Sequence, residues 1–216
     1  MVLKAVLFDM DGLLTDSEVY GCRVMKAGGR LQGVELPDRL LDEMTGQNDV
    51  TCASVLGARY PGLDGAEVMA YYRREMLAAS LRGDIPLKPG VTELLDVLDA
   101  HRIPRAVVSS NGRAVVEGNL RGILARFDRV ISGECTRRSK PEPDIYLAAA
   151  EALGVAPDGC LVLEDSPNGL RAGRAAGMRT CMVPDRIPYT EALAPYADDV
   201  RASLLDVIPL IGPWLS

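Results

Sequence analysis

The stretch Val6-Leu7-Phe8-Asp9-Met10-Asp11-Gly12 decides the fold of this chain. An apolar run ends in two carboxylates one residue apart, and a glycine follows where the backbone must turn. A short apolar run that stops at turn residues reads as a buried strand. Open α/β sheets build their sites at the carboxyl ends of such strands. Two acids this close shift each other's pKa unless a cation or a proton neutralises them. Taken alone, the same residues also fit an ordinary Asp-Gly turn leaving a strand. The rest of the chain separates that reading from a divalent-metal site carrying a nucleophile.

Outward from this stretch, apolar runs rich in β-branched residues recur at 3–8, 105–109, 129–132, 160–163 and 179–183. They alternate with helix-length segments, which favours an α/β fold with a parallel sheet. Pro89-Gly90 opens a helix over 91–100, where Val91, Leu94, Leu95 and Leu98 repeat at helical spacing. Asn111 is placed as the cap of a helix over 113–123. A helix over 144–153 stops at Gly154, and one over 167–176 starts on Pro167 and stops at Gly177. Residues 17 to 84 break the alternation. Helical patterns over 17–31, 37–44, 48–58 and 66–81 are punctuated by Gly46, Pro61-Gly62 and Gly83. An all-helical block spliced after the first strand reads as a lid of residues 16–84 on a core of 1–15 and 85–216. Its hinges fall near Thr15-Asp16 and 82–87. The tail, with an amphipathic stretch at 189–197, is expected to close the sheet edge.

With 216 residues, 48% of them apolar and 25% charged, the chain has the composition of a soluble globular protein with a sizeable core. A net charge of −6 excludes the basic stripe that nucleic acid requires. Cys22, Cys52, Cys135, Cys160 and Cys181 are odd in number and scattered, so neither a disulfide framework nor a zinc site is expected. Reduced thiols, no charged-then-apolar leader and no apolar run of about 18 residues point to a cytoplasmic protein away from membranes. The single histidine, His101, precedes a strand at a helix end, which rules out multi-histidine metal sites and argues against a Ser-His-Asp triad. The chemistry therefore falls to carboxylates, a hydroxyl and a lysine.

Those groups sit at strand ends. The first strand offers Asp9 and Asp11, and the second ends in Ser109-Ser110-Asn111. A polar loop after the third leads to Lys140 in Ser139-Lys140-Pro141, and the fourth ends in Glu164-Asp165-Ser166. Each is weak alone, since a strand-end serine or a loop lysine is usually solvated. In a parallel sheet all four ends share one edge, and together they form a constellation. Oxygen ligands without histidine suit Mg²⁺, and a hydroxyl beside a lysine suits phosphoryl oxygens. An aspartate can serve as nucleophile, and a second acid two residues on can move the proton.

The motifs Asp9-Met10-Asp11-Gly12, Val108-Ser109-Ser110, Lys140-Pro141-Glu142-Pro143 and Glu164-Asp165-Ser166-Pro167-Asn168-Gly169 resemble those of the haloacid dehalogenase superfamily. The resemblance covers essentially the whole chain. It is to the phosphatase and phosphomutase branch, and it implies a Rossmann-like core with an inserted all-helical cap. It further implies that Asp9 attacks phosphorus and Asp11 acts as acid and then base. Asp9, the Asp11 carbonyl, Glu164 and Asp165 would hold Mg²⁺, with Glu164 binding directly or through water. Ser109 and Lys140 would bind the phosphoryl group, helped by the backbone N–H groups of Met10, Asp11 and Ser110. An acid at position 11 speaks against a dehalogenase. The β-phosphoglucomutases carry a histidine where Gly21 stands and a cap Gly-x-x-Arg where this chain has Gly46-Gln47-Asn48-Asp49. Hydrolysis is therefore preferred over phosphoryl transfer to a sugar. A receiver-like phospho-acceptor domain shares the residue types but not their order, and it lacks a cap. Ser17, Tyr20, Gln47, Asn48 and Arg73 from the cap, with Asn111 and Arg113 from the core, are the expected substrate contacts. The expected partner is a small phosphorylated metabolite, for instance a sugar phosphate, bound by a monomer.

Overall fold

The computed structural model describes residues 2–45, 47 and 49–215. Strand β1 (Ala5–Phe8) is buried throughout and lies at the middle of a six-stranded sheet among the described residues. The others are β2 (Arg105–Val108), β3 (Arg129–Ile131), β4 (Cys160–Glu164), β5 (Arg179–Met182) and β6 (Asp199–Val200). Their spatial order is β3-β2-β1-β4-β5-β6, with every neighbouring pair parallel. Strand order reverses between β1 and β4, and α/β sheets open a crevice at such a reversal. Phe8 lies level with Val107 and Leu163. That register brings Asp9, Ser109 and Glu164 to one edge.

Alternate residues of β1 feed two apolar layers. Val6 and Phe8 pack with Leu94, Leu95 and Leu98 of α5 (Val91–Ala100) and with Leu204 and Val207 of α9 (Leu204–Ile211). Ala5 and Leu7 pack with Ile145, Tyr146 and Ala149 of α7 (Asp144–Leu153) and Ala172 of α8 (Pro167–Ala175). A sheet covered on both faces has no polar side to show, so its strands are apolar throughout rather than alternating.

The helical segment forms α1 (Ser17–Leu31), α2 (Asp38–Met44), α3 (Asp49–Arg59) and α4 (Gly65–Arg82). These helices surround an apolar cluster of their own, including Met25, Leu36, Leu40, Leu56, Val68 and Met69. The two chain crossings to the core pair with each other: Asp16 N donates to Pro86 O at 2.8 Å, and Lys88 N to Leu14 O at 2.9 Å. Helix α4 rests on α6 (Arg113–Asn119) at Gly118, where an added Cβ would lie 2.3 Å from Ser80 O. Gly118→Ala forces a backbone carbonyl aside, and overpacking of this kind typically costs about 1–3 kcal/mol. We expect a lower melting temperature, measurable by calorimetry, despite the better helix propensity of alanine.

The structure departs from the sequence reading at the end of one helix, at its cap and in the tail. Helix α6 ends at Asn119 rather than 123, and a 3-10 turn follows at Leu124–Arg126. This brings Phe127 edge-on to Phe8, with ring centroids 5.7 Å apart. The position before α6 is Gly112, without a side-chain cap, so Asn111 is not the cap. In the tail, 189–197 holds only a 3-10 turn (Glu191–Leu193), and it is β6 that pairs with β5 at the edge. His101 is exposed at the end of α5, and the five cysteines are free. No helix among the described residues is long and apolar enough to cross a membrane.

Candidate active site

Asp9 leaves β1 with its N–H on Leu163 O at 3.0 Å, and the backbone turns at once. Gly12 has φ +73°, and a Cβ there would sit 2.2 Å from Asp165 Oδ2. Both the left-handed backbone and the approach of a carboxylate demand glycine.

Lys140 arrives from the loop before α7 and is almost fully buried. Its Nζ donates to Asp9 Oδ1 at 2.5 Å, Glu164 Oε1 at 2.6 Å and Val108 O at 3.2 Å. Burial alone would drive this ammonium toward neutrality, but Asp9 and Glu164 outweigh it and hold its pKa well above the ordinary value. Glu164 Oε1 also accepts from Tyr146 Oη at 2.7 Å, and Oε2 accepts from Ser166 N at 3.1 Å and Ser166 Oγ at 2.9 Å. Glu164, expected as a metal ligand, is thus bonded at both oxygens by the protein, and it fixes Lys140 against Asp9. An added Cβ at Gly169 would fall 1.7 Å from Glu164 Oε1, so the carboxylate rests against the start of α8.

Asp11 Oδ2 accepts from Asn111 Nδ2 at 2.7 Å. Burial raises its pKa. Asn111, together with Ser17, which lies nearby but outside hydrogen-bonding geometry, pulls the other way. The Asp9 carboxyl is pushed well above the usual range by burial and then by Glu164, with Lys140 opposing. Ser109 is buried, and its Oγ accepts from Asn111 N at 3.1 Å. Ser110 lines the cleft beside Asp9.

Asp9, Glu164 and Asp165 each offer a carboxylate oxygen within 4.8 Å of the others. Among the described residues the Asp165 carboxylate has no hydrogen-bond or ion-pair partner. Its pKa is raised well above the carboxylate range by burial, then by Asp9 and Glu164. An oxygen-only acidic cluster with one uncompensated member fits a hard divalent cation. With chelator present, charge on Asp165 disfavours the fold. This group therefore contributes stability below pH 3.8, its ordinary pKa, and loses it as pH rises through the raised value. Asp165→Asn is expected to melt higher than the native chain in chelator at pH 7.5, and the gap should close toward pH 4. Melting curves across pH measure it, and a gap that widens in acid contradicts the electrostatic account.

Two clefts meet at Asp11. One, of about 360 Å³, is lined by Asp9, Asp11, Ser110, Lys140, Asp165 and Arg186, with Glu18 and Thr45 from the helical segment. The other, of about 500 Å³, lies between α4 and α6 and includes Asp11, Ser17, Glu18, Asp49, Arg73 and Asn111. Of the expected contacts, Ser17, Arg73 and Asn111 line this second cleft. Arg73 is paired with Asp49 at 2.7 Å. Gln47 lines an adjoining cavity inside the helical segment, which shares Glu18 and Asp49 with the second cleft, and Asn48 lies outside the described residues. Arg113 is exposed and pairs with Glu117 at 2.7 Å, because the first turn of α6 directs it outward, away from both clefts. Tyr20 lies against Arg82 rather than in a cleft. Sequence reasoning missed Tyr146, Glu18 and Arg186. Tyr146 sits in an apolar helix stripe that reads as core, Glu18 reads as an acidic first turn, and Arg186 belongs to a loop without periodicity.

A family model for haloacid dehalogenase-like hydrolase matches residues 3–177. Hexitol phosphatase A of Escherichia coli is 34% identical over 186 residues, covering 85% of this chain and 84% of that protein. Validoxylamine A 7'-phosphate phosphatase of Streptomyces hygroscopicus subsp. limoneus is 34% identical over 217 residues, covering 97% and 99%. The crystal structure of a haloacid dehalogenase family hydrolase from Deinococcus radiodurans, with bound phosphate and sodium, superposes with a TM-score of 0.85 at 27% identity, covering 99% of this chain and 97% of that one.

Proposed function

This chain belongs to the haloacid dehalogenase-like hydrolase family, and on that premise we propose that it is a Mg²⁺-dependent phosphatase of small phosphate monoesters, working through an aspartyl phosphate on Asp9. The observation that carries this reading is the Lys140 bridge. A buried cation clamped between Asp9 and Glu164 holds one carboxylate at the floor of a cleft with Asp11 beside it.

Asp9 would attack phosphorus in line, forming an acyl phosphate and releasing the ester oxygen. Lys140 offsets the repulsion between that carboxylate and the incoming phosphoryl oxygens. The upward shift of the Asp11 pKa favours the protonated form that would supply a proton to the leaving oxygen. Once ionised, Asp11 would take a proton from water, whose oxygen then attacks phosphorus to release phosphate and regenerate Asp9. Asn111 orients Asp11 for both transfers. Asp9, the Asp11 carbonyl and Asp165 would hold Mg²⁺, with Glu164 behind them, and the ion would neutralise the phosphoryl oxygens and keep Asp9 ionised.

We assign the leaving group to the cleft between α4 and α6, whose polar wall suits a hydroxylated molecule. Arg73 pairs with Asp49, so among the described residues this cleft has no unpaired cation for a second phosphate, which supports hydrolysis over a bisphosphate-primed mutase. Residues 16–84 would act as a cap that closes over Asp9 and excludes water, hinged at the paired crossings 14–16 and 86–88. The free cysteines suit a reducing compartment such as the cytoplasm. The test is phosphate release from a panel of sugar, polyol and nucleoside monophosphates with and without Mg²⁺. Mg²⁺-dependent release supports the reading. No release, but interconversion of hexose phosphates with a bisphosphate primer, would replace it with the mutase.

A further inference from the structure

Glu18 of α1 lies on the wall of three cavities at once: the Asp9 cleft, the cleft between α4 and α6, and a cavity of about 280 Å³ inside the helical segment. An alcohol esterified to a phosphate at Asp9 would lie beside it. Among the described residues its carboxylate has no hydrogen bond or ion pair. Burial, then Asp11 and Asp185, push its pKa up, against Arg186 and Lys88. Tyr72 shares the wall of the helical cavity and of the α4–α6 cleft, and it presses on α1: a Cβ at Gly21 would lie 3.0 Å from Tyr72 Oη and 3.2 Å from Cε2. Burial, then Glu18 and Asp11, hold the Tyr72 hydroxyl protonated far above its ordinary pKa, so this part of the wall is neutral. The charges around it are acidic. In the helical cavity the charged residues among those described are Glu18 and Asp49, set among Met25, Leu41, Met44 and Cys52. In the neighbouring cleft Asp11, Glu18 and Asp49 stand against Arg73, which pairs with Asp49 at 2.7 Å. The cations of the Asp9 cleft are Lys140, bound to Asp9 and Glu164, and Arg186, paired with Asp42. Positive charge thus stands where the phosphoryl group would sit, and net negative charge where its alcohol would.

We propose that Glu18 selects the leaving group by charge: the preferred ester carries a hydroxyl or ammonium donor that meets the Glu18 carboxylate, and esters whose alcohol bears a carboxylate or a second phosphate are rejected. A half-buried carboxylate without a partner gains from a donor and repels an anion, and both effects grow where water is scarce. Asp49 sharpens the rejection by occupying Arg73, the cation of the α4–α6 cleft. Specificity of this kind depends on the repulsive element as much as on the attractive one. The inference rests on the phosphatase reading of the Asp9 cleft and narrows its substrates to esters of uncharged or cationic alcohols.

The test uses three closely matched esters, glucosamine 6-phosphate, glucose 6-phosphate and 6-phosphogluconate, whose leaving groups are cationic, neutral and anionic. Two readouts are taken with Mg²⁺ at pH 7.5: kcat/KM in the native chain, and dissociation constants by calorimetry in Asp9→Asn, which should bind without turnover. The glucosamine and glucose esters should be favoured over 6-phosphogluconate by about tenfold or more in both. Glu18→Gln keeps the size and most of the hydrogen bonding of the side chain but not its charge, and it should bring the three esters within about threefold of one another. Asp49→Asn, which releases Arg73, should improve 6-phosphogluconate and weaken glucosamine 6-phosphate. A purely structural role for Glu18 would move all three esters by one factor, and that result overturns the selection. So would a native chain that handles 6-phosphogluconate as well as the others, no binding of either hexose ester, or an unaltered charge preference in Asp49→Asn. If no ester is hydrolysed but the dissociation constants follow this order and Glu18→Gln levels them, the phosphatase reading falls while the charge selection stands.

Discussion

Asp9→Asn is expected to abolish turnover, with a loss of about 10⁴-fold or more, because it removes the proposed nucleophile rather than a group that assists it. The fold should survive. Asp9 is a buried carboxylate whose ionisation is opposed by burial and by Glu164, so a neutral amide relieves an unfavourable charge at neutral pH. The amide oxygen can still accept from Lys140, and Glu164 keeps its own bond to that ammonium at 2.6 Å. A melting temperature within a few degrees of native, alongside abolished Mg²⁺-dependent phosphate release, is the expected pair of results. Full activity in this variant would move the nucleophile elsewhere.

Lys140→Met carries the second large effect, and here both stability and activity should fall. The substitution keeps most of the buried volume but leaves two buried carboxylates, Asp9 and Glu164, without their shared cation. Breaking a buried ion pair in this way costs about 3–5 kcal/mol. The pH dependence gives the cause away. Without Lys140 the Asp9 carboxyl should rise further, so the variant's deficit is greatest at neutral pH and above. As pH falls through the raised Asp9 value that carboxyl protonates and the deficit should shrink. Urea titrations at pH 7.5 and pH 5 measure this, and an equal deficit at both would point to lost packing over the Tyr146 ring, 5.0 Å from Nζ, as the cause. Turnover should drop by about 10³-fold or more, since Lys140 both offsets the charge between nucleophile and phosphate and favours the ionised form of Asp9.

Much of this architecture is legible in one dimension because local chemistry fixes it. Helices α1, α5 and α7 begin and end where their apolar spacing and stop signals put them, at Leu31, Ala100 and Leu153. Gly154, with φ +68°, ends α7 as a left-handed cap. The doubly covered strands are continuous apolar runs and so stand out. Partners across the fold carry no local signal. Asn111 reads as a helix cap and as a substrate contact, but its amide reaches across to Asp11, 100 residues away in the chain. Glu164 stands with Asp9 and Asp165 in the acidic cluster, as its type and place suggest, while the four protein donors that also hold its oxygens leave no trace in the sequence. Strand β6 and helix α9 escaped notice because a two-residue strand and a helix interrupted by Pro209 carry little periodic signal.

The sequence by itself determined the family of this protein and on which edge of which kind of sheet its acids, hydroxyl and lysine stand. Residue type, the two-residue spacing of Asp9 and Asp11, and apolar periodicity are local properties that survive without a structure. Tertiary structure alone decided the partners. Lys140 meets an Asp9 that lies 131 residues away, and Arg186 meets Asp42 across 144. Those distances close only because strand order reverses between β1 and β4 and the helical segment folds back over the edge. The acids at positions 9 and 11 announce a reaction. The crossing order of the chain decides which cation meets Asp9, which amide meets Asp11 and which helices lie above.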